Sequence, residues 1–90
     1  MKITTNIFGP DITLKENISL DTPSTALKDV VKAILSKRED ALKAIVKDDL
    51  SLENGCVILV NGRNILTLEN FDTRIHDGDE ITFTVLLAGG

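Results

Sequence analysis

The chain ends in Gly89-Gly90, and this pair is the feature of the sequence that most directly predicts chemistry. Glycine has no Cβ, so a glycine tail can thread a channel that is too narrow for any other residue. The last residue also presents an unhindered α-carboxylate, which is ionised at neutral pH. A carboxylate on a thin tether is suited to activation by a partner enzyme. The competing interpretation is a frayed terminus with no chemical role.

The other residues that could do chemistry have simpler structural interpretations. Cys56 begins an apolar run, and a buried cysteine usually behaves as a small core residue rather than as a nucleophile. His76 is the only histidine and lies in an Asp-Gly turn, where a solvated or capping role is expected. The acidic residues lack the full ligand spacing of a calcium loop and are predicted to be turn or helix-end positions: Asp48, Asp49, Asp77, Asp79 and Glu80. We therefore expect no catalytic residue, no metal site and no cofactor bound by this chain.

Composition restricts the class of protein further. The 90 residues are enough for one domain. A net charge of −4, with three phenylalanines and no Trp or Tyr, argues against a nucleic-acid partner, which requires basic surface and aromatic platforms. A single cysteine cannot form an internal disulfide, which is typical of a reducing compartment. We expect a cytoplasmic protein without a secretory signal or a membrane partner, because the longest apolar run, Cys56–Val60, is too short to cross a bilayer.

Apolar alternation predicts a hairpin at the start of the chain. Ile3, Thr5 and Ile7 alternate with polar residues, which indicates a strand with one buried face. A Gly-Pro-Asp turn follows, and alternate apolar residues over 12–20 then predict a second strand. Glu16 occupies an inward position of that strand, which predicts a local bulge.

A helical pattern replaces the alternation after residue 25. Apolar residues over 27–35 recur at the spacing of one helix face, so an amphipathic helix is predicted to cover a sheet. Thr25 is predicted to be its N-cap. The pattern over 41–46 predicts a second, short helix.

Strand patterns return in the last third of the chain. Cys56–Val60 is predicted to be a strong strand, and Asn61-Gly62 a hairpin turn leading to a short strand over 64–66. In the last strand, Ile81, Phe83 and Val85 are predicted to face the core. A helix packed on one face of a mixed sheet is the economical arrangement of these elements. The fold class is therefore α+β, with four to five strands, one main helix, and the last strand parallel to and beside the first, as in the β-grasp of ubiquitin.

Three pieces of the sequence together resemble the small ubiquitin-like sulfur carriers and modifiers. They are Leu59-Val60-Asn61-Gly62-Arg63, His76-Asp77-Gly78-Asp79-Glu80 and Gly89-Gly90. This family includes the molybdopterin synthase small subunit, the thiamine sulfur carrier, the ubiquitin-related modifier and the archaeal small modifiers. The molybdopterin branch has prolines where this chain has residues 85–88, so the ubiquitin-related modifier is at least as similar.

The resemblance implies a chemistry for the tail. An activating enzyme of the ubiquitin type adenylates the Gly90 carboxylate with ATP and magnesium held on the partner's side, and the adenylate becomes a thiocarboxylate. Residues 1–87 are then the β-grasp domain, and 88–90 a flexible tail in which Ala88 and Gly89 lead to Gly90. The implied partners are this activating enzyme, together with the molybdopterin synthase large subunit or a tRNA-thiolating enzyme. Two alternatives remain: a protein modifier joined through Gly90 to target lysines, and a plain β-grasp binding module.

The outer face of the sheet is predicted to dock the partner. If Ile58 and Val60 face the core, Val57 and Leu59 face outward. By the same phase the last strand presents its threonines and Leu86 outward, so Leu59 and Leu86 are expected to be exposed neighbours. Exposed apolar patches often mark partner surfaces. The predicted docking surface consists of Val57, Leu59, Thr84 and Leu86.

Overall fold

The computed structural model describes residues 1–9, 12–47 and 49–85. The strands and helices follow one another in the order predicted, with one additional pair of short strands. In chain order the elements are β1 (Lys2–Phe8), β2 (Thr13–Ser19), β3 (Ser24–Ala26), α1 (Leu27–Lys37), α2 (Glu39–Leu42), β4 (Cys56–Val60), β5 (Arg63–Asn64), 3-10 turns at Ile65–Thr67 and Asn70–Asp72, β6 (Arg74–His76) and β7 (Glu80–Val85).

The main sheet has five strands in the order β2-β1-β7-β4-β5. β7 is the central strand: it is parallel to β1 on one side and antiparallel to β4 on the other. This is the mixed sheet of a ubiquitin-like β-grasp fold, as the sequence predicted. The C-terminal strand is therefore held by backbone hydrogen bonds on both sides.

The β1–β2 hairpin forms without the predicted bulge. Its register runs without interruption from the Lys2–Ser19 pair to the Phe8–Thr13 pair, so no extra residue is inserted and the prediction is wrong. Glu16 keeps its inward position because its carboxylate accepts two hydrogen bonds from the Arg38 guanidinium, at 2.6 and 2.9 Å. The Glu16 charge is therefore neutralised by Arg38 at the edge of the sheet, and the strand needs no bulge to move the carboxylate into solvent.

The main helix forms as predicted, but its N-cap is Ala26 and not Thr25. Thr25 belongs to β3, which pairs with β6 and keeps the backbone extended up to the helix. The first-turn N–H of Leu27 donates to the Thr73 carbonyl at 2.8 Å, so a backbone group replaces the predicted cap. The Thr25 hydroxyl instead donates to the Asp29 carboxylate at 2.8 Å. The predicted stripe is buried at Leu27, Val30, Val31 and Ile34.

Two shorter elements complete the chain trace. The predicted second helix is a single turn, α2, which ends at Leu42, so Ile45 and Val46 follow the helix instead of belonging to it. The apolar residues of the predicted pattern are nevertheless all buried: Ala41, Leu42, Ile45 and Val46. β5 ends at Asn64, earlier than predicted. The Asn64 side-chain oxygen accepts the N–H of Leu66 at 2.9 Å, which begins a 3-10 turn instead of continuing the strand.

The core lies between the sheet and α1. The inward faces predicted for the strands and for the helix contribute to one buried cluster, which includes Ile3, Leu27, Val31, Ile34, Ile58, Val60 and Phe83. Within the described ranges, no helix is long and apolar enough to cross a membrane.

Candidate functional site

The central strand carries the chain toward the predicted reactive end. Val85, the last residue that the structure describes, is paired with Cys56 of β4. Five residues follow it in the sequence. The predictions made for Leu86, Ala88, Gly89 and Gly90 concern positions outside the described residues.

Three of the four residues predicted for docking come together on the outer face of the sheet. Thr84 of β7 lies opposite Val57 of β4, and Leu59 lies opposite Thr82. On the other side of β7, Thr84 is the register partner of Phe8 in β1. Side chains of neighbouring strands at matched register share a face. We refer to Phe8, Val57, Leu59, Thr82 and Thr84 as the outer-face patch.

Phe8 is the most exposed apolar member of this patch, and sequence reasoning did not select it. Its side chain is 42% exposed. The signal was present in the alternation, because inward Ile3, Thr5 and Ile7 place Phe8 on the opposite face. Leu59 is half-buried rather than exposed as predicted, since Thr82 and Asn64 flank it on adjacent strands.

A hydrogen-bonded amide supports the middle of the outer face. Asn6 is 7% exposed, although it shares the outward phase of Phe8. Its Nδ2 donates to Glu80 Oε2 at 3.0 Å and to Thr82 Oγ1 at 3.2 Å. These bonds join β1 to β7 through side chains as well as through the backbone beside the patch.

Two of the sequence motifs that carried the resemblance meet at the start of β7. Asn61 adopts a left-handed φ of 52° in the β4–β5 turn, and its Nδ2 donates to Asp79 Oδ1 at 3.0 Å. The Glu80 N–H donates to Asn61 Oδ1 at 2.9 Å, and the His76 N–H donates to Asp79 Oδ2 at 2.8 Å. Six residues of strand span about 17 Å, so these hydrogen bonds lie far from the Val85 end of β7. These motifs therefore hold the central strand and do not contribute reactive groups at its end.

Cys56 is buried, as predicted. Its Sγ lies 3.9 Å from the carbonyl oxygens of Ala44 and Asn54. Burial, with a smaller contribution from Glu53, raises the pKa of the Cys56 thiol, so it is protonated at neutral pH. A protonated, enclosed thiol is a weak nucleophile, which agrees with a core role.

The remaining polar candidates are exposed, but not all of them occupy the positions predicted. His76 ends β6 and Glu80 begins β7, because each pairs with a neighbouring strand, so the predicted turn is shorter than expected. Asp77 lies in that turn and accepts the backbone N–H of Lys2 at 2.6 Å.

Asp49 lies in a turn and not at a helix end, since α2 ends at Leu42. Hydrogen bonds from the Ser51 hydroxyl and backbone N–H lower the pKa of Asp49, while Asp48 is outside the described residues. No group of three or more His, Cys, Asp or Glu side chains that could hold a metal ion occurs in the described part of the chain.

Comparison with known proteins identifies the family. The model of the ThiS family matches residues 6–90. The chain belongs to the ThiS family. Among curated relatives of this ThiS-family chain is a putative sulfur carrier protein of Archaeoglobus fulgidus, 27% identical over 74 residues, which covers 82% of this chain and 84% of the relative.

Solved structures of similar proteins have the same fold. SAMP1 from Haloferax volcanii superposes with a TM-score of 0.75 at 18% identity and full coverage of both chains. The small archaeal modifier protein 1 from Methanosarcina acetivorans has a TM-score of 0.69 at 24% identity, covering 99% of this chain and 96% of that one. A chain of the BexX/CysO complex of Amycolatopsis orientalis has a TM-score of 0.71 at 16% identity, with 98% and 99% covered. These likenesses confirm the ubiquitin-like β-grasp fold of the ThiS-family chain.

Proposed function

We propose that this ThiS-family protein is a sulfur carrier whose Gly90 carboxylate is adenylated by an ATP-dependent activating enzyme and converted to a thiocarboxylate. The observation that carries the proposal is the family match, which runs through residue 90 and so includes the terminal glycine pair. The relative from Archaeoglobus fulgidus is named a putative sulfur carrier protein, which supports the same function. The acceptor proposed for the sulfur is a pterin precursor, a tRNA base or a thiazole precursor.

The chemistry assigned to the tail follows from the reactivity of a carboxylate. A carboxylate is a poor electrophile, so one of its oxygens must first become part of a leaving group. Attack of the Gly90 carboxylate on the α-phosphorus of ATP forms an acyl-adenylate and releases pyrophosphate. A hydrosulfide ion then attacks the acyl carbon, the C–O bond to AMP breaks, and AMP leaves, which gives the thiocarboxylate and releases one proton. In this proposal the partner enzyme supplies the ATP site, the magnesium ion and the nucleophile.

In this proposal the chain presents its terminal carboxylate to the partner enzyme and catalyses no step itself. β7 is bonded on both sides, so it is a firm base for the residues that follow Val85. The outer-face patch adjoins the same end of β7 and offers apolar side chains to a partner. Cys56 is enclosed and protonated, so we assign it no step in sulfur transfer.

The intact mass of the protein, purified from its own cells under non-reducing conditions, tests the proposal. We expect a population heavier than the unmodified chain by the replacement of one oxygen atom with one sulfur atom. Alkylation of the thiocarboxylate should label that population and not a chain that lacks Gly90. If larger conjugates were found without the sulfur-shifted mass, the proposed carrier function would be rejected in favour of a protein modifier.

Docking through the outer-face patch gives a second prediction. Phe8→Asp should weaken binding to the activating enzyme at least about tenfold, because it places an unpaired charge in a desolvated contact. Stability should change by no more than about 1 kcal/mol, since Phe8 is 42% exposed. A binding titration and a thermal melt measure the two effects.

Ile12→Asp is the matched control for Phe8→Asp. Ile12 is also 42% exposed and flanks the same hairpin loop, but it lies on the helix side of the sheet beside Leu14. We expect it to leave binding of the activating enzyme unchanged. Equal loss of affinity in the two variants would contradict docking through the outer face.

A further inference from the structure

The main sheet has one long open edge. β2 is the outermost strand on one side and is seven residues long, whereas β5 on the other side has two. β2 carries no bulge along this length. A long, regular edge strand presents unpaired N–H and C=O groups that can bond to a further strand.

Two backbone hydrogen bonds determine which β2 residues face this edge. The Leu20 N–H donates to the Met1 carbonyl at 2.9 Å, and the Gly9 N–H donates to the Ile12 carbonyl at 2.9 Å. In an antiparallel pair, successive residues alternate between bonding to the partner strand and pointing away from it. The even-numbered residues of β2 therefore bond to β1. The odd-numbered residues, whose side chains are all exposed, direct their backbone groups to the open edge: Thr13, Lys15, Asn17 and Ser19.

A narrow cleft of about 10 Å³ runs beside the same strand on the helix side. The inward side chains of Leu14, Ile18 and Leu20 form one wall, and Ala33 and Ile34 of α1 form the other. The ion pair between Glu16 and Arg38 crosses it, so inward side chains of an added strand would cover this cleft rather than fill it. Near the hairpin the cleft widens into a groove of about 410 Å³ between Leu14 and residues 36–41. A strand added to β2 would direct every second side chain toward this cleft.

We propose that the β2 edge binds an extended segment of a partner protein as a sixth strand. Apolar side chains of that segment alternate toward the cleft, and an acidic side chain faces Lys15 on the outer face. Its main chain bonds to the backbone groups of the odd-numbered β2 residues. The proposal is independent of the carrier function, and it uses a surface other than the outer-face patch.

The charges along β2 favour an acidic partner. Lys15 is the one charged side chain among the four open-edge residues, and no ion pair to it is found within the described ranges. The Glu16 carboxylate is already bonded to Arg38. A carboxylate directly across from Lys15 would form a favourable cross-strand pair. Glu39 and Asp40 lie at the far wall of the groove, which is why the acidic side chain is assigned to the outer face.

A second copy of this chain is a poorer occupant of the edge. Antiparallel pairing of β2 with itself at full overlap matches Thr13 with Ser19 and Lys15 with Asn17, so the Lys15 ammonium gains no carboxylate across the strands. A heterologous segment with an acidic side chain opposite Lys15 supplies that partner.

Binding of a designed peptide to the full chain tests the proposal. The probe is a fluorescein-labelled peptide as long as β2 that alternates valine with aspartate and serine, followed by fluorescence anisotropy. We expect saturable binding, and we expect the amide protons of Lys15 and Asn17 to gain protection from hydrogen exchange. Lys15→Glu should weaken binding.

A pair of substitutions at Asn17 isolates the backbone contribution. Asn17→Pro removes one edge-facing N–H at a position where an edge strand tolerates proline, whereas Asn17→Thr retains it. The Thr4 hydroxyl donates a hydrogen bond to Asn17 Oδ1 at 3.0 Å. Both variants lose this bond, so its loss does not contribute to the difference between them. We expect binding to Asn17→Pro to be about tenfold weaker than to Asn17→Thr. If Asn17→Pro does not fold, a peptide N-methylated at alternate residues replaces it, and we expect that peptide not to bind the parent chain.

Several outcomes would overturn the proposal. These are an absence of saturable binding, equal affinity of the two Asn17 variants, or full binding of the N-methylated peptide. Loss of binding in Phe8→Asp with retention in Asn17→Pro would move the site to the outer-face patch. Concentration-dependent dimers of the parent chain that Asn17→Pro dissolves would assign the edge to a second copy.

Discussion

Deletion of Gly90 should abolish ATP–pyrophosphate exchange catalysed by the cognate activating enzyme. The deletion removes one residue of reach and so withdraws the carboxylate by about 3.5 Å. A displacement of this size lowers the reaction rate strongly, because the reacting atoms must be aligned. The thermal melt should match that of the parent chain, because the deleted residue lies beyond the β-grasp domain predicted over 1–87.

Gly89→Trp tests the narrow channel rather than the reach. It keeps the length of the tail and adds a bulky side chain where a channel made for glycine has no space. Exchange should again be lost while the melt is unchanged. Leu66→Ser is the control for both tail variants, since Leu66 is 69% exposed on a 3-10 turn and should leave exchange intact. Normal exchange in both tail variants would reject the assigned role of Gly90.

The fold was predictable from the sequence wherever a periodic pattern and a turn signal coincided. Ile3, Thr5 and Ile7 set the phase of β1, and Asn61-Gly62 marked the β4–β5 turn where both residues adopt positive φ. The errors lie where a distant backbone group or side chain decided the local structure. Thr25 is not the N-cap because it pairs with β6, about fifty residues later in the sequence, and so belongs to a strand. Arg38 removed the need for a bulge at Glu16.

The candidate site was predictable in part for the same reason. Alternation on β4 and β7 selected Val57, Leu59 and Thr84 correctly as outward residues, and the register places Val57 and Thr84 opposite each other. Phe8 was missed because its contact with Thr84 depends on the parallel β1–β7 pairing, which joins the two ends of the chain. The open edge of β2 was missed because an edge is a property of strand order and not of the β2 sequence.

Phe83→Ala should cause the largest loss of folding stability among the substitutions considered. Phe83 is fully buried, with an exposed fraction of 0%. It lies on the central strand, where it is paired with Ile7 of β1 and Ile58 of β4. Truncation removes the transfer free energy of the ring and leaves a cavity that the surrounding sheet and helix cannot close. We expect a loss of about 3–5 kcal/mol in the free energy of unfolding.

This loss is a large part of the 5–15 kcal/mol typical of a small domain, so urea unfolding should resolve it easily. Phe8→Ala is the matched control, because it removes the same ring from the 42% exposed position on the outer face of β1. Phe8→Ala should cost about 1 kcal/mol or less. The thermal midpoint should fall by at least about 12 °C for Phe83→Ala and by only a few degrees for Phe8→Ala. Equal losses in the two variants would contradict the inward phase of β7, and with it the assignment of Thr84 and Phe8 to one outer-face patch.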